Sequence, residues 1–299
     1  MRSVLLIFMM GVGVLSADVQ VTDAGGDSRA AAWKKSPVRV AFWNVEWFPG
    51  KSPKPSPAAV EKQIRAAAAE VGTASPDILF AEEIRDRQAM KKLAPGRAYY
   101  YCTSIPRPAD ENPALPNQGL AMASRLVPRR VWVLDFSKLA QTPDRPVRGI
   151  LGAEFALKSG KLVVYGLHLK SNRGDAAGNR QRRQRTVDLL KDDWKRQGLD
   201  PARDRILVGG DFNTSPDDPQ FDGERTLGKL AAAGFVNGIS GQPRAFTVSG
   251  NGWFPPNAFD HIFVSPAQAD RFPAPPPWTE VRAFVPAASD HAMLVMEVP

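Results

Sequence analysis

Short apolar runs that end on polar residues recur along the chain. Val38 to Val45 alternates and is rich in aromatics, which predicts a strand ending near Asn44. Asp77 to Ala81 and Ile206 to Val208 are too brief for helices and read as buried strands. Tyr99 to Thr103, Val131 to Phe136, Ala258 to Val264 and Ala292 to Val298 read as further strands. Gly149 to Leu157 and Lys161 to Leu167 form a hairpin about Ser159-Gly160. Helices are predicted over Ala58 to Val71, Arg180 to Gln197 and Leu227 to Ala233. In the second, Val187, Leu190 and Trp194 make a buried stripe, and Gly198 ends it. Asn172 to Asn179, just before it, reads as a loop. Strands alternating with helices, with hairpins between, predict α/β layers built on mixed sheets. No linker divides the chain after residue 36, so residues 37–299 are expected to form one domain.

The N-terminus breaks this pattern. Arg2 precedes an apolar run from Ser3 to Leu15, and small residues follow at Ser16 and Ala17. Residues 1–17 therefore read as a secretory signal, with an uncleaved anchor as the alternative. Residues 18–36 are polar and rich in Gly and Ala, and are expected to be a disordered lead-in. No later run is apolar enough to span a bilayer. Export implies a secreted or periplasmic location without lasting membrane insertion. Cys102 is the single cysteine, which excludes an intramolecular disulfide. A formal charge of +8 favours polyanions such as nucleic acid, phospholipid headgroups or polyphosphates, although solubility alone would also explain it.

The chemistry lies in the polar endings. Asn44, Glu83, His168, Asp211 with Asn213, Asp260, and Asp290 with His291 all sit at strand ends. In layered α/β proteins that is where site residues collect. Gly209 to Pro216 is the most informative stretch. Asp211 and Asn213 flank Phe212, so extended backbone would point both polar groups one way and the ring the other. The plainer reading is an Asx turn. His261 is expected to pack as a structural histidine, whereas His168 and His291 are candidates for chemistry. Oxygen donors dominate, which suits Mg²⁺, with Mn²⁺ or Ca²⁺ as alternatives, and no zinc, P-loop or serine-hydrolase motif is present.

In order, the motifs are Phe42-Trp43-Asn44-Val45, Phe80-Ala81-Glu82-Glu83-Ile84, Gly166-Leu167-His168-Leu169-Lys170-Ser171, Gly210-Asp211-Phe212-Asn213, Phe259-Asp260-His261-Ile262 and Ser289-Asp290-His291. Together the set resembles the endonuclease/exonuclease/phosphatase superfamily. The resemblance implies a four-layer α/β sandwich, in which two packed mixed β-sheets are flanked by helices. It also implies metal-assisted phosphodiester hydrolysis by a monomer. By the same resemblance Glu83, Asn44 and Asp290 would hold the metal. Asp211 would orient or deprotonate the attacking water, and Asn213 would hold a phosphate oxygen. His291 would contact the scissile phosphate, with Asp260 fixing its tautomer, and His168 would lie near the leaving group. Glu82 stands where the family often has glutamine; on extended backbone it would face away from Glu83.

Lys170, Arg173, Arg180 and Asn117 are the candidate substrate contacts, with Gln118 and the Trp253-Phe254 pair weaker ones. Four arginines from Arg180 to Arg185 crowd one helix start, so some of them are expected on a solvated face. The expected function is a secreted Mg²⁺-dependent nuclease acting on DNA or RNA. Phospholipid, sphingomyelin or inositol-phosphate hydrolysis is the alternative, and an inert anion-binding module a remoter one.

Overall fold

The structure is a computed structural model that describes residues 19–103, 118–242, 245–250 and 255–299. The expected signal, Asn117 and the Trp253-Phe254 pair lie outside the described residues. In chain order the elements begin with β1 (Gln20–Gly25), β2 (Val38–Phe48), α1 (Pro57–Ala74), β3 (Ile78–Ile84), α2 (Arg87–Leu93), β4 (Tyr99–Cys102) and β5 (Gly119–Ser124). Next come β6 (Arg130–Asp135), β7 (Ile150–Leu157), β8 (Gly160–His168), α3 (Ala176–Arg196), β9 (Arg205–Asp211) and α4 (Thr226–Ala231). The last are β10 (Val236–Asn237), β11 (Asp260–Val264), α5 (Pro266–Ala269), β12 (Thr279–Val281) and β13 (Leu294–Val298). Among the described residues, no helix is long and apolar enough to cross a membrane.

Two mixed sheets result. One runs β1-β6-β7-β8-β9-β11-β10, the other β12-β13-β2-β3-β5-β4. Alternation along each strand divides its side chains between two layers. Val40 and Phe42 of β2, Leu162 and Val164 of β8 and Leu207 of β9 meet between the sheets. Their neighbours Ala41 and Trp43 pack outward against Ala67 and Val71 of α1 and Met90 of α2. On the other side Val163, Tyr165, Ile206 and Val208 pack against Val187, Leu190 and Trp194 of α3. The chain is therefore a four-layer α/β sandwich, as its motifs imply.

Among the strands of the described residues, only β2 with β3 and β8 with β9 pair in parallel. Each pair is joined by one long helix, α1 or α3. These two βαβ units bring four strand C-termini to one end of the sandwich. There the sheets approach closely. A Cβ on Gly209 would strike the Phe42 ring and one on Gly166 the Phe80 ring, and the two rings themselves stack at 5.5 Å.

Three expectations change. The lead-in was expected to be disordered, but Gln20–Gly25 adds an antiparallel edge strand to β6, and Trp33 bridges to Leu157. All its side chains but that of Ala24 are exposed, so backbone hydrogen bonds mainly hold it, and these leave no mark in hydropathy. Helix α3 starts at Ala176 rather than Arg180, because Asp175 caps it through the Ala177 and Gly178 amides. Helix α2 was not expected; it spans seven residues, too few to show a period, and Asp86 caps it through Ala89.

Gly210 is held at φ 128°, and a Cβ there would collide with the Leu167 carbonyl and the Glu82 carboxylate. Gly210→Ala is expected to lower unfolding free energy by roughly 2 kcal/mol or more. Urea denaturation checks this; a midpoint equal to that of the parent would contradict it.

Candidate active site at the joined strand ends

The parallel ends supply the site. Asn44 lies near the end of β2, Glu82 and Glu83 near that of β3, His168 ends β8 and Asp211 ends β9. Asp260 opens the antiparallel strand β11. In register, Asp211 is flanked on neighbouring strands by His168 and Asp260. Across the gap between the sheets, Asn44 Nδ2 donates to Asp211 Oδ2 at 3.2 Å. His168 Nε2 lies 3.4 Å from the same oxygen. Asp211 Oδ1 accepts the Asn213 amide at 2.8 Å, which is an Asx turn. One carboxylate oxygen closes the turn while the other meets Asn44 and His168. The expected extended backbone is not found, because Asn213 sits at φ 51° and its Nδ2 donates to the Leu169 carbonyl at 3.2 Å. Phe212 packs away from the site, fully buried in the layer beneath α3.

His291 enters from the 288–293 segment. Its Nδ1 lies 2.8 Å from Asp260 Oδ2, and that oxygen also accepts Thr247 Oγ1 at 2.7 Å. The His291 carbonyl accepts Trp43 Nε1 at 3.0 Å, and Ser289 Oγ ties the segment to the Asn44 carbonyl at 2.7 Å. Asp290 stays on this side: its Oδ1 is 3.9 Å from His291 Nε2, and its amide donates to Glu46.

Burial and like charge set the protonation pattern. Burial pushes Asp211 up to about 7, with His291 opposing and Asp260 adding to the rise. Burial likewise drives Glu82 well above the usual carboxylate range, reinforced by Asp260 and Asp211. Burial holds His168 well below its ordinary value, helped by the Arg148 cation. His291 goes the other way: burial would lower it, but Asp260, Asp211 and Asp290 outweigh burial and raise it well above. The site thus presents a neutral histidine, a charged histidine and a carboxyl group that titrates near neutrality.

Glu82 and Glu83 do separate, though not on extended backbone. A bulge in β3 puts Glu83 at φ 62°, and the register with both neighbouring strands shifts there. Glu82 is fully buried. Glu83 Oε2 accepts the Trp47 amide at 2.9 Å and Gln118 Nε2 at 2.8 Å, while Oε1 lies 3.5 Å from Asn44 Nδ2. Gln118, a weak candidate by sequence, thus touches the group expected to hold metal.

A hard cation suits this donor set. Among the described residues no three His, Cys, Asp or Glu side chains form a closed cage. Mg²⁺ needs none, since it keeps several waters and takes one or two carboxylates plus substrate oxygens. The buried Glu82 oxygens and Asp260 Oδ1 have no hydrogen-bond partners within the protein, which leaves oxygen acceptors free for a cation's waters.

The expected substrate contacts scatter. Lys170 Nζ folds back onto the Ser171 and Arg173 carbonyls. Arg173 is exposed, and Arg180 Nη1 donates to the Asp222 carbonyl at 3.2 Å. His261 packs, as expected: it is fully buried, with Nε2 3.1 Å from the Thr214 carbonyl and Nδ1 3.0 Å from Asn237 Nδ2.

The profile of the Endonuclease/Exonuclease/phosphatase family matches residues 41–291, which includes every strand end described above. The chain belongs to this family. Family members are phosphoric-ester hydrolases. No curated protein matches the sequence. Among solved structures, the chain is similar to a 3′ phosphatase, NExo, from Neisseria bound to a product DNA hairpin (TM-score 0.59, 17% identity, 88% of this chain and 99% of that one). It is similar to sphingomyelinase C from Streptomyces griseocarneus (TM-score 0.59, 14% identity, 89% and 100%). It is also similar to a beta toxin from Staphylococcus aureus with bound magnesium ions (TM-score 0.60, 16% identity, 88% and 100%). At these identities the likeness concerns the fold.

Asp260→Asn should drop the His291 pKa toward or below its ordinary value near 6.5, read by NMR titration. Because the folded-state pKa is raised, the pair's stabilisation is complete below about 6.5 and is lost as pH rises through the folded value. The variant should lose that contribution. An unchanged His291 titration would show that Asp260 is not its source.

Proposed function

We propose that this protein is a divalent-metal-dependent phosphodiesterase whose preferred substrate is nucleic acid. The observation that carries the reading is the Asp260–His291 pair, set beside Asp211 where the two sheets meet. A phosphodiester is already anionic and water is a weak nucleophile, so hydrolysis needs a base and positive charge against the developing phosphorane. Asp211 takes or aligns the water's proton, and its raised pKa makes it a better base than an exposed aspartate. Charged His291 donates to a phosphate oxygen, with Asp260 fixing its ring. Neutral His168 stands against Asp211 and orients it. Asn213 lies next to Asp211 as a candidate phosphate contact. Glu83, with Asn44 and Asp290, would hold Mg²⁺, which when bound supplies Lewis-acid charge to the phosphate.

A net charge of +8 favours a nucleic acid over a neutral substrate. The product DNA hairpin on the Neisseria phosphatase points the same way, while the sphingomyelinase likeness keeps a lipid headgroup as the competing substrate. The apolar N-terminal run supports export.

With Mg²⁺, the protein should nick supercoiled plasmid. EDTA should stop this, and His291→Ala should slow it by about 100-fold or more. Intact plasmid alongside rapid sphingomyelin or inositol-phosphate turnover would overturn the nucleic-acid reading.

A further inference from the structure

Four arginines crowd the start of α3, and one differs from the rest. Arg183 is 2% exposed, and its side chain and that of Glu224 are both almost fully enclosed. The two groups lie fork to fork: Nε donates to Oε1 at 2.6 Å and Nη2 to Oε2 at 2.6 Å. Thr226 Oγ1 holds Glu224 from behind at 2.7 Å. The remaining guanidinium nitrogen turns toward the active-site loop. Nη1 donates to the Lys170 carbonyl and to Asn172 Oδ1, each at 2.9 Å. Asn172 then passes the contact on, with Nδ2 donating to the Asn213 carbonyl at 3.0 Å. Asn213 Nδ2 closes the circuit on the Leu169 carbonyl at 3.2 Å, and the Leu169 amide donates to the Asp211 carbonyl at 2.8 Å.

We infer that Arg183, braced by Glu224, is a positioning residue that sets the His168–Asn172 loop and the Asp211–Asn213 turn relative to each other for catalysis. The inference rests on the proposed phosphodiesterase reading for its kinetic consequence, though not for its structural one. Stability alone does not account for the pair, because a buried ion pair of this kind can often be replaced by apolar residues without loss. An apolar pair cannot supply the donors that reach Lys170 and Asn172. Asn213 sits at φ 51°, a conformation that needs support from its surroundings, and the Asn172 bond to its carbonyl is part of that support. Lysine would keep the charge without the planar fork, so charge alone should not suffice.

Two variants test this. Arg183→Met with Glu224→Leu removes both charges at similar volume. Asn172→Ala cuts the relay at a half-buried residue and leaves the ion pair in place. The readouts are melting temperature, turnover of bis(p-nitrophenyl) phosphate with Mg²⁺, and amide hydrogen exchange. Both variants should melt within about 4 °C of the parent. Their kcat should fall at least ~10-fold with KM changed far less, as misplacement of reacting groups predicts. Exchange should quicken across residues 169–173 and 212–215. Arg183→Lys should not restore kcat. If the double variant does not fold, Asn172→Ala decides. Folded Asn172→Ala with parental kcat and parental exchange would overturn the inference. If the parent turns over no phosphodiester, the proposed function fails, and the exchange measurement alone decides the role of Arg183.

Discussion

Everything at the site depends on how closely the two sheets approach at one end. Two aromatic rings, Phe42 and Phe80, lie against two glycines, Gly209 and Gly166, on the opposite sheet. A side chain at either glycine would force the sheets apart. With them closed, Asn44 of one sheet reaches Asp211 of the other. The cross-sheet bond converts two separate sets of strand ends into a single cluster. The same closure removes water, which is why burial leads the pKa shifts of Asp211, Glu82 and His168.

The cluster is held in place at a local energetic cost. Glu46, Trp47, Glu83 and Asn213 all have positive φ without being glycine. Each such residue costs of order 1–3 kcal/mol and persists only where its surroundings fix it. Those surroundings are visible. Gln63, from α1, donates to the Val45, Glu46 and Ala288 carbonyls at 2.7, 2.9 and 2.7 Å, and so ties the strained turn after β2 to the segment carrying His291. Arg183 does the corresponding work on the other sheet. Each buried polar anchor comes from one of the two crossover helices, so the helices that make the parallel pairs also set the loops at their ends.

Much of this was legible in the sequence, for identifiable reasons. Strands such as Val38–Phe48 carry strict alternation or dense apolar runs, and helix α3 carries its stripe. The polar strand ends stood out because Asn44, His168, Asp211 and His291 each interrupt an apolar run. Other features left no local trace. Strand β1 is held mainly by its backbone pairing with β6. Arg183 resembles its neighbours in an arginine-rich run, and its partner Glu224 lies 41 residues further on. Lys170 sits in a motif that pointed at the substrate, yet its chain folds onto its own loop, because nearby carbonyls offer a cation a closer partner. The divergence of Glu82 and Glu83 was expected from extended backbone, but the bulge that produces it left no trace in the sequence. Hydropathy reports which face is buried; it does not report which distant charge a buried guanidinium meets.

The central claim is that the joined strand ends form a metal-assisted phosphodiesterase site with Glu83 at its cation. A crystal grown with Mn²⁺ and examined by anomalous scattering tests it most directly. The account predicts a peak within about 2.0–2.4 Å of a Glu83 carboxylate oxygen, on the side facing Asn44. A peak elsewhere, or none at saturating Mn²⁺ in protein that cleaves phosphodiesters, would contradict it.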